Sequence, residues 1–173
     1  NLSRQLMQAF ALALGLERRF FDAWLSLPMA TLGPLYYPPV PAGSVDNRAR
    51  ISAGAHTDFG CLTLLAQQHI SGLEIYTRDN EWREVPPRDD MLVVNIGDML
   101  ARWTNDRYAS TRHRVVNKSD EARLSMAFFF DPDPGVDLSP LPGCLAPGTE
   151  PKYPPATSLS HLIDKIGESF SYR

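Results

Sequence analysis

The sequence has few cysteines, no long apolar run and no excess of basic residues, and each shortage argues against a class of protein. Cys61 and Cys144 are too few for a disulfide framework, so we expect a reducing, cytoplasmic setting. No stretch of about 18 apolar residues occurs, which argues against a membrane-spanning helix. The 17 Lys and Arg are outnumbered by 20 Asp and Glu, for a net charge of −3, which argues against nucleic-acid binding through bulk charge.

The composition is otherwise that of a globular protein with a surplus of proline. The 173 residues are 43% hydrophobic and 21% charged, and 15 are proline. This length predicts a single domain over residues 1–173. Apolar spacings of three and four predict a helix from residue 2 to about 25, interrupted at Gly15, and a closing helix over Ser158–Phe170. The chain begins inside a helical pattern without a Met, so we expect a piece of a longer protein.

Between these helices the sequence predicts β structure. Short apolar or alternating runs follow one another between turn signals, which favours an all-β sandwich or barrel. Arg78, Asp79 and Asn80 predict a hairpin connection, and Asp98 is expected to cap a short helix over residues 98–104. We therefore predict a mainly β fold, such as a jelly roll, flanked by helices. The runs are 32–37, 51–56, 61–66, 73–76, 82–85, 91–96, 111–116 and 124–130.

Two histidines and one carboxylate are candidate metal ligands. His56 and Asp58 are two apart on an extended segment, so their side chains point the same way. His113 lies in a second predicted strand. Each of these residues alone is more often a surface turn or a hydrogen-bonded strand histidine. Together, two His and one carboxylate on a β scaffold can form the facial triad of non-haem Fe(II) oxygenases.

A third pattern, Arg123 and Ser125, predicts an anion site. Both residues share one face of a predicted strand that also carries apolar residues. A guanidinium facing the interior needs an anionic partner, and a serine hydroxyl can add a further donor to a carboxylate. The alternative is an Arg on an edge strand that reaches solvent.

In this order, the motifs resemble the iron(II)- and 2-oxoglutarate-dependent oxygenases of the isopenicillin N synthase-like group. The resemblance implies a double-stranded β-helix, a distorted jelly roll, buttressed by N-terminal and C-terminal helices. It implies that the chain is one catalytic domain that lacks the helix-rich region usually found ahead of it. Beyond the three site motifs, the segments that carry the resemblance are 35–39, 95–100, 103–108, 110–116, 131–132 and 153–158.

The same resemblance assigns roles to residues. His56, Asp58 and His113 would bind Fe(II), whereas Arg123 and Ser125 would bind the distal carboxylate of 2-oxoglutarate, with a further hydrogen bond from Tyr37. The implied reaction consumes O2, oxidises a small-molecule substrate by hydroxylation or a related step, and releases succinate and CO2. One departure is Leu35, where many plant members carry Asn, and it weakens the role implied for Tyr37.

Several other residues receive less specific interpretations. Phe59 and Phe129 are candidates for the substrate pocket, with core packing as the alternative for each. Asn95, Gly97 and Asp98 are expected to serve structure. His69 and His161 are expected not to be ligands.

Two alternative functions stay open at this point. One is an Fe(II) oxidase of the same fold that needs no 2-oxoglutarate, of the isopenicillin N synthase or ethylene-forming type. The other is a non-catalytic β-barrel binding module. The sequence does not specify the substrate, the reaction outcome or the oligomeric state.

Overall fold

The structure, a computed structural model, describes residues 1–40 and 51–170. Its helices are α1 (Leu2–Ala13), a 3-10 turn (Asp22–Trp24), α2 (Asp98–Trp103) and α3 (Ser158–Phe170). Its strands are β1 (Met29–Tyr37), β2 (Ile51–His56), β3 (Leu62–Gln67), β4 (Leu73–Tyr76), β5 (Trp82–Glu84), β6 (Leu92–Ile96), β7 (His113–Val116) and β8 (Arg123–Asp131).

The strands form two four-stranded antiparallel sheets. Sheet I has the order β1-β8-β3-β6 and sheet II the order β2-β7-β4-β5. Strands far apart in the chain are neighbours in both sheets, as expected for a jelly roll rather than a simple meander. The mainly β prediction is confirmed, and each predicted run overlaps one observed strand.

Strand β8 shows how the alternation of the sequence separates two environments. Arg123, Ser125 and Ala127 are buried, whereas Leu124 and Met126 between them are exposed. Successive side chains of a strand point to opposite faces, so the first set faces the space between the sheets. Strand β8 is central in sheet I, with β1 on one side and β3 on the other. It therefore carries polar side chains into the interior of the barrel.

The opposite face of sheet I is covered at one end by the N-terminal segment. Phe130 of β8 packs in one apolar cluster with Met7 of α1 and with Trp103 of α2. Phe21 joins this cluster, with its ring centre 5.3 Å from that of Trp103. The helices thus buttress the sheet, and the interior face stays available for a site.

Two local predictions are wrong. Residues 17–25 form turns and the short 3-10 turn rather than a resumed helix. Gly15, with a φ of 77°, ends α1 in a Schellman motif, in which Leu16 donates to the carbonyl of Ala11. The chain then bends to place Phe21 on Trp103. Asp98 is not a cap either, because Gly97 holds the cap position and Asp98 lies in the first turn of α2.

The closing helix is observed over the residues that the sequence predicts, Ser158–Phe170. Its His161 is buried, whereas Leu159, Ile163 and Ile166 are exposed. Among the described residues, no helix combines the length and apolar character needed to cross a bilayer.

Candidate metal centre

The structure brings His56, Asp58 and His113 together. His56 ends β2 and lies directly opposite His113, which begins β7. The Nε2 atoms of His113 and His56 lie 3.6 and 3.9 Å from Oδ1 of Asp58. One ligand atom from each residue falls within 4.8 Å of the others. The spacing of the His-x-Asp motif brings His56 and Asp58 together, whereas the pairing of β2 with β7, which the motif does not specify, adds His113.

Both imidazoles are oriented by main-chain carbonyls. Nδ1 of His56 lies 2.7 Å from the carbonyl oxygen of Gly54, and Nδ1 of His113 lies 3.0 Å from that of Thr111. Because a carbonyl only accepts, each Nδ1 carries the proton and donates it. The lone pair of each Nε2 is then directed toward Asp58. This is the tautomer that a histidine ligand needs when it binds metal through Nε2.

The two carboxylate oxygens of Asp58 have different neighbours. Its Oδ1 faces the imidazoles, whereas its Oδ2 accepts hydrogen bonds from Oγ1 of Thr63 at 2.6 Å and from Nδ2 of Asn95 at 2.7 Å. Two neutral imidazole nitrogens and one carboxylate oxygen form the donor set of a facial Fe(II) site. The residues present therefore fit Fe(II).

Solvent reaches the three ligands unequally. The side chain of His56 is 45% exposed, compared with 15% for His113 and 9% for Asp58. The centre therefore opens on the side of His56, and its other side is enclosed by the sheets.

A cavity of about 460 Å³ lies between the sheets beside the three ligands. Its walls are mainly aliphatic, with residues such as Leu65, Leu73 and Val115. Arg123 and Ser125 also line it, as the sequence predicts. A cavity of this size suits a small organic molecule.

Arg123 is a buried cation at this cavity. It is 0% exposed, and its guanidinium donates to the carbonyl of Ile70 at 3.3 Å, to Oγ of Ser125 at 3.3 Å and to Oε1 of Gln67 at 2.9 Å. The guanidinium carbon lies 5.0 Å from the ring centre of Tyr37. Burial lowers the pKa of Arg123, and Tyr37 opposes that shift.

The hydrogen-bond acceptors recorded for Arg123 in the described part of the chain are all neutral. A buried guanidinium whose acceptors among the described residues are all neutral fits an anionic ligand. The site therefore suits a carboxylate group, such as one of the two carboxylates of 2-oxoglutarate. Gln67 is a part of this site that the sequence reasoning missed. No local pattern in the sequence marks it, because its position opposite Ser125 depends on the register of β3 with β8.

The two candidate pocket residues behave differently. Phe129 lines the cavity, as does Leu35 at the position of the departure from the family pattern. Phe59 is not among the lining residues, and its carbonyl oxygen lies 2.9 Å from Nε2 of His161. His161 thus holds the main chain next to Asp58 and is outside the ligand cluster. Burial lowers the pKa of His161.

A comparison with models of known protein families gives a match that covers more than half of the chain. The family model described as "2OG-Fe(II) oxygenase superfamily" matches residues 31–132. The chain belongs to this superfamily. The matched residues include the three candidate ligands and the Arg123–Ser125 pair.

Fungal members of the 2OG-Fe(II) oxygenase superfamily are similar along most of the chain. A 2-oxoglutarate-Fe(II) type oxidoreductase, hxnY, of Emericella nidulans is 41% identical over 158 residues, which is 91% of this chain and 45% of the relative. A 2-oxoglutarate-Fe(II) type oxidoreductase, ppzC, of Metarhizium rileyi is 36% identical over 174 residues, or 98% of this chain and 46% of the relative. The chain thus spans about half the length of the curated relatives it matches.

A solved structure from Neurospora crassa agrees with the fold. This full-length protein, crystallised in complex with alpha-KG and thymine, superposes on the chain with a TM-score of 0.91 at 32% identity. The match covers 97% of this chain and 53% of the Neurospora crassa chain. The double-stranded β-helix that the resemblance implies is therefore the fold of this chain.

Proposed function

We propose that this chain carries the catalytic core of an Fe(II)- and 2-oxoglutarate-dependent oxygenase. In the proposed reaction, O2 oxidises a small-molecule substrate, and 2-oxoglutarate is converted to succinate and CO2. One observation carries the proposal: the His56, Asp58 and His113 cluster and the buried guanidinium of Arg123 line the same cavity. A metal and a dicarboxylate can therefore be held next to each other.

Each part of the cavity has a distinct role in this proposal. His56, Asp58 and His113 would hold Fe(II), and Arg123 with Ser125 would bind the distal carboxylate of 2-oxoglutarate. Tyr37, whose ring lies against the guanidinium, would support that contact. When bound, iron and 2-oxoglutarate supply the oxidising chemistry. The protein's own contribution is to orient the ligands, neutralise the carboxylate and exclude water from the aliphatic cavity.

The substrate proposed is a small organic molecule that enters on the side of His56. Phe129 would form part of the pocket wall. This class is supported by the similar Neurospora crassa protein, which has been solved with thymine and with 5-formyluracil. We further propose a cytoplasmic location, because the two cysteines do not form a disulfide framework.

Anaerobic visible absorption tests the proposal. Fe(II) and then 2-oxoglutarate are added to the protein, and we expect the charge-transfer band that Fe(II) gives with a bound 2-oxo acid. His113→Ala should abolish the band, and Arg123→Ala should strongly raise the 2-oxoglutarate concentration it requires. His69→Ala and Arg83→Ala are matched controls, because both side chains are exposed and lie outside the cavity.

Turnover distinguishes the remaining functions. Succinate formed in step with substrate oxidation would support the proposal. Substrate oxidation without consumption of 2-oxoglutarate would instead identify the cosubstrate-free oxidase. Failure of the wild-type protein to bind Fe(II) would contradict both.

A further inference from the structure

Two polar residues on neighbouring strands donate hydrogen bonds to the same oxygen atom of Asp58. Thr63 of β3 and Asn95 of β6 are direct cross-strand partners in sheet I. Their donors, Oγ1 of Thr63 and Nδ2 of Asn95, lie 2.6 and 2.7 Å from Oδ2 of Asp58. Thr63 is buried and Asn95 partly buried, so both hydrogen bonds are shielded from solvent. Even partial shielding strengthens such bonds, because water competes less for their partners.

This pair leaves the two carboxylate oxygens in different environments. Oδ2 accepts both donors, whereas Oδ1 lies 3.6 and 3.9 Å from the Nε2 atoms of His113 and His56. A carboxylate can bind a metal through one oxygen or both, and hydrogen bonds to one oxygen bias that choice. The arrangement therefore favours binding through Oδ1 alone.

The main chain of Asp58 is held by the same part of the protein. Its carbonyl oxygen accepts from the N–H of Asp98 at 2.7 Å, at the beginning of α2. The carbonyls of Phe59 and Gly60 accept from the N–H of Met99 at 3.2 and 3.1 Å. Strand β6 and helix α2 follow each other directly, so one continuous segment fixes both the backbone and the carboxylate of this ligand.

We propose that Thr63 and Asn95 are positioning residues for the metal centre, which hold Asp58 so that only Oδ1 faces the metal. The proposal rests on the proposed function. It differs from the purely structural role that the sequence predicts for Asn95. If the pair served only the fold, its removal would lower stability and leave metal affinity unchanged.

Co(II) binding separates the two roles, with visible absorption of the metal itself as the readout. Thr63→Val removes one donor at nearly constant volume, and Asn95→Ala removes the other. We expect each change to weaken Co(II) binding by about 10- to 100-fold, the usual effect of losing a partner of a metal ligand. Thr63→Ser keeps the hydroxyl and should restore affinity close to that of the wild type.

Thr104→Val is the matched control. Thr104 is also buried, but its hydroxyl donates to the carbonyls of Leu100 and Ala101 within the helical turn. This variant should lower the unfolding temperature of the metal-free protein and leave the Co(II) dissociation constant unchanged. Asn95 is only partly buried, so Asn95→Ala keeps the test available if Thr63→Val does not fold.

The outcomes distinguish failure of this inference from failure of the proposed function. Wild-type Co(II) affinity and absorption in folded Thr63→Val and Asn95→Ala, with no binding by His113→Ala, would overturn the positioning role alone. A wild-type protein that does not bind Co(II), or a His113→Ala variant that binds it normally, would overturn the metal centre and this inference with it.

Discussion

Asp131 is a carboxyl group whose burial affects the stability of the protein. It is 6% exposed and accepts a hydrogen bond from the N–H of Cys61. Burial raises the pKa of Asp131 to about 6; the hydrogen bond from Cys61 opposes this shift, and the charge of Asp58 adds to it. The folded state therefore binds this proton more tightly than the unfolded state, in which the pKa is near 3.8.

The sign of the pH dependence follows from that difference. As pH rises from about 4 to 6.5, the unfolded chain loses this proton first, so Asp131 makes the protein less stable with rising pH, by up to about 3 kcal/mol. Asp131→Asn keeps a carbonyl acceptor for Cys61 and should remove this slope. Urea unfolding of both proteins across this pH range measures the difference between their free energies of unfolding.

Asp79→Asn is the control for Asp131→Asn. The side chain of Asp79 is 72% exposed and pairs with Arg83 at the surface. Its replacement should leave the pH slope of the wild type intact. A constant stability difference between wild type and Asp131→Asn across the range would contradict the pKa of Asp131.

The contact between helix α2 and the loop that carries Asp58 depends on the absence of a side chain at Gly97. A Cβ atom at Gly97 would lie 2.3 Å from the carbonyl oxygen of Gly60 and 2.6 Å from that of Asp58. Both are backbone atoms and cannot rotate away, so Gly97→Ala must move the helix and loop apart. We expect a loss of about 1–3 kcal/mol in unfolding free energy, measured in urea, and weaker Co(II) binding.

Gly167→Ala is the comparison for Gly97→Ala. A Cβ at Gly167, inside α3, meets nothing within 4 Å. Alanine has the higher helix propensity by about 1 kcal/mol, so this change should stabilise the protein. Unchanged stability and metal binding in Gly97→Ala would show that the helix–loop contact is more adaptable than its distances indicate.

The elements show what a single sequence can predict. Alternation placed Arg123, Ser125 and Phe129 on one face of a strand, and the structure places all three at the cavity. Alternation does not give the register between strands, however, because register depends on contacts distant in sequence. The pairing of Thr63 with Asn95 was therefore out of reach, although both side chains meet at Asp58.

The helix predicted for residues 17–25 is absent for a related reason. The apolar spacing of Phe20, Phe21 and Trp24 is typical of a helix, but the three rings pack edge to face or tilted against one another. The further contact of Phe21 with Trp103 outweighs the weak local preference for helix. Such a contact links residues 82 positions apart (103 − 21), and no local pattern reports it.

The molecule as a whole places the candidate site between its two sheets. His56 and His113 come from sheet II, Arg123 and Ser125 from sheet I, and Asp58 from the connection between β2 and β3 that joins the sheets. A bound metal and a bound dicarboxylate would therefore link the sheets. Ligands that bind only the folded state stabilise it by mass action.

We accordingly expect the free energy of unfolding to rise in two steps. Co(II) at 100 times its dissociation constant should add about 2.7 kcal/mol, and 2-oxoglutarate at the same relative excess should add a similar amount. Thermal unfolding at each ligand concentration measures both increments. His113→Ala should lose the Co(II) increment.

Arg123→Met gives the sharper result for the second step, because it separates ligand binding from ligand-free stability. The substitution removes a buried cation whose hydrogen-bond acceptors among the described residues are neutral. Methionine also preserves much of the apolar volume of the arginine side chain. The ligand-free variant should therefore be about as stable as the wild type, since removing the cost of burying a charge without an anionic partner offsets the hydrogen bonds that are lost. The increment from 2-oxoglutarate should disappear while that from Co(II) remains. A variant that is less stable without ligand, yet keeps the 2-oxoglutarate increment, would show that Arg123 serves the fold and not the cosubstrate.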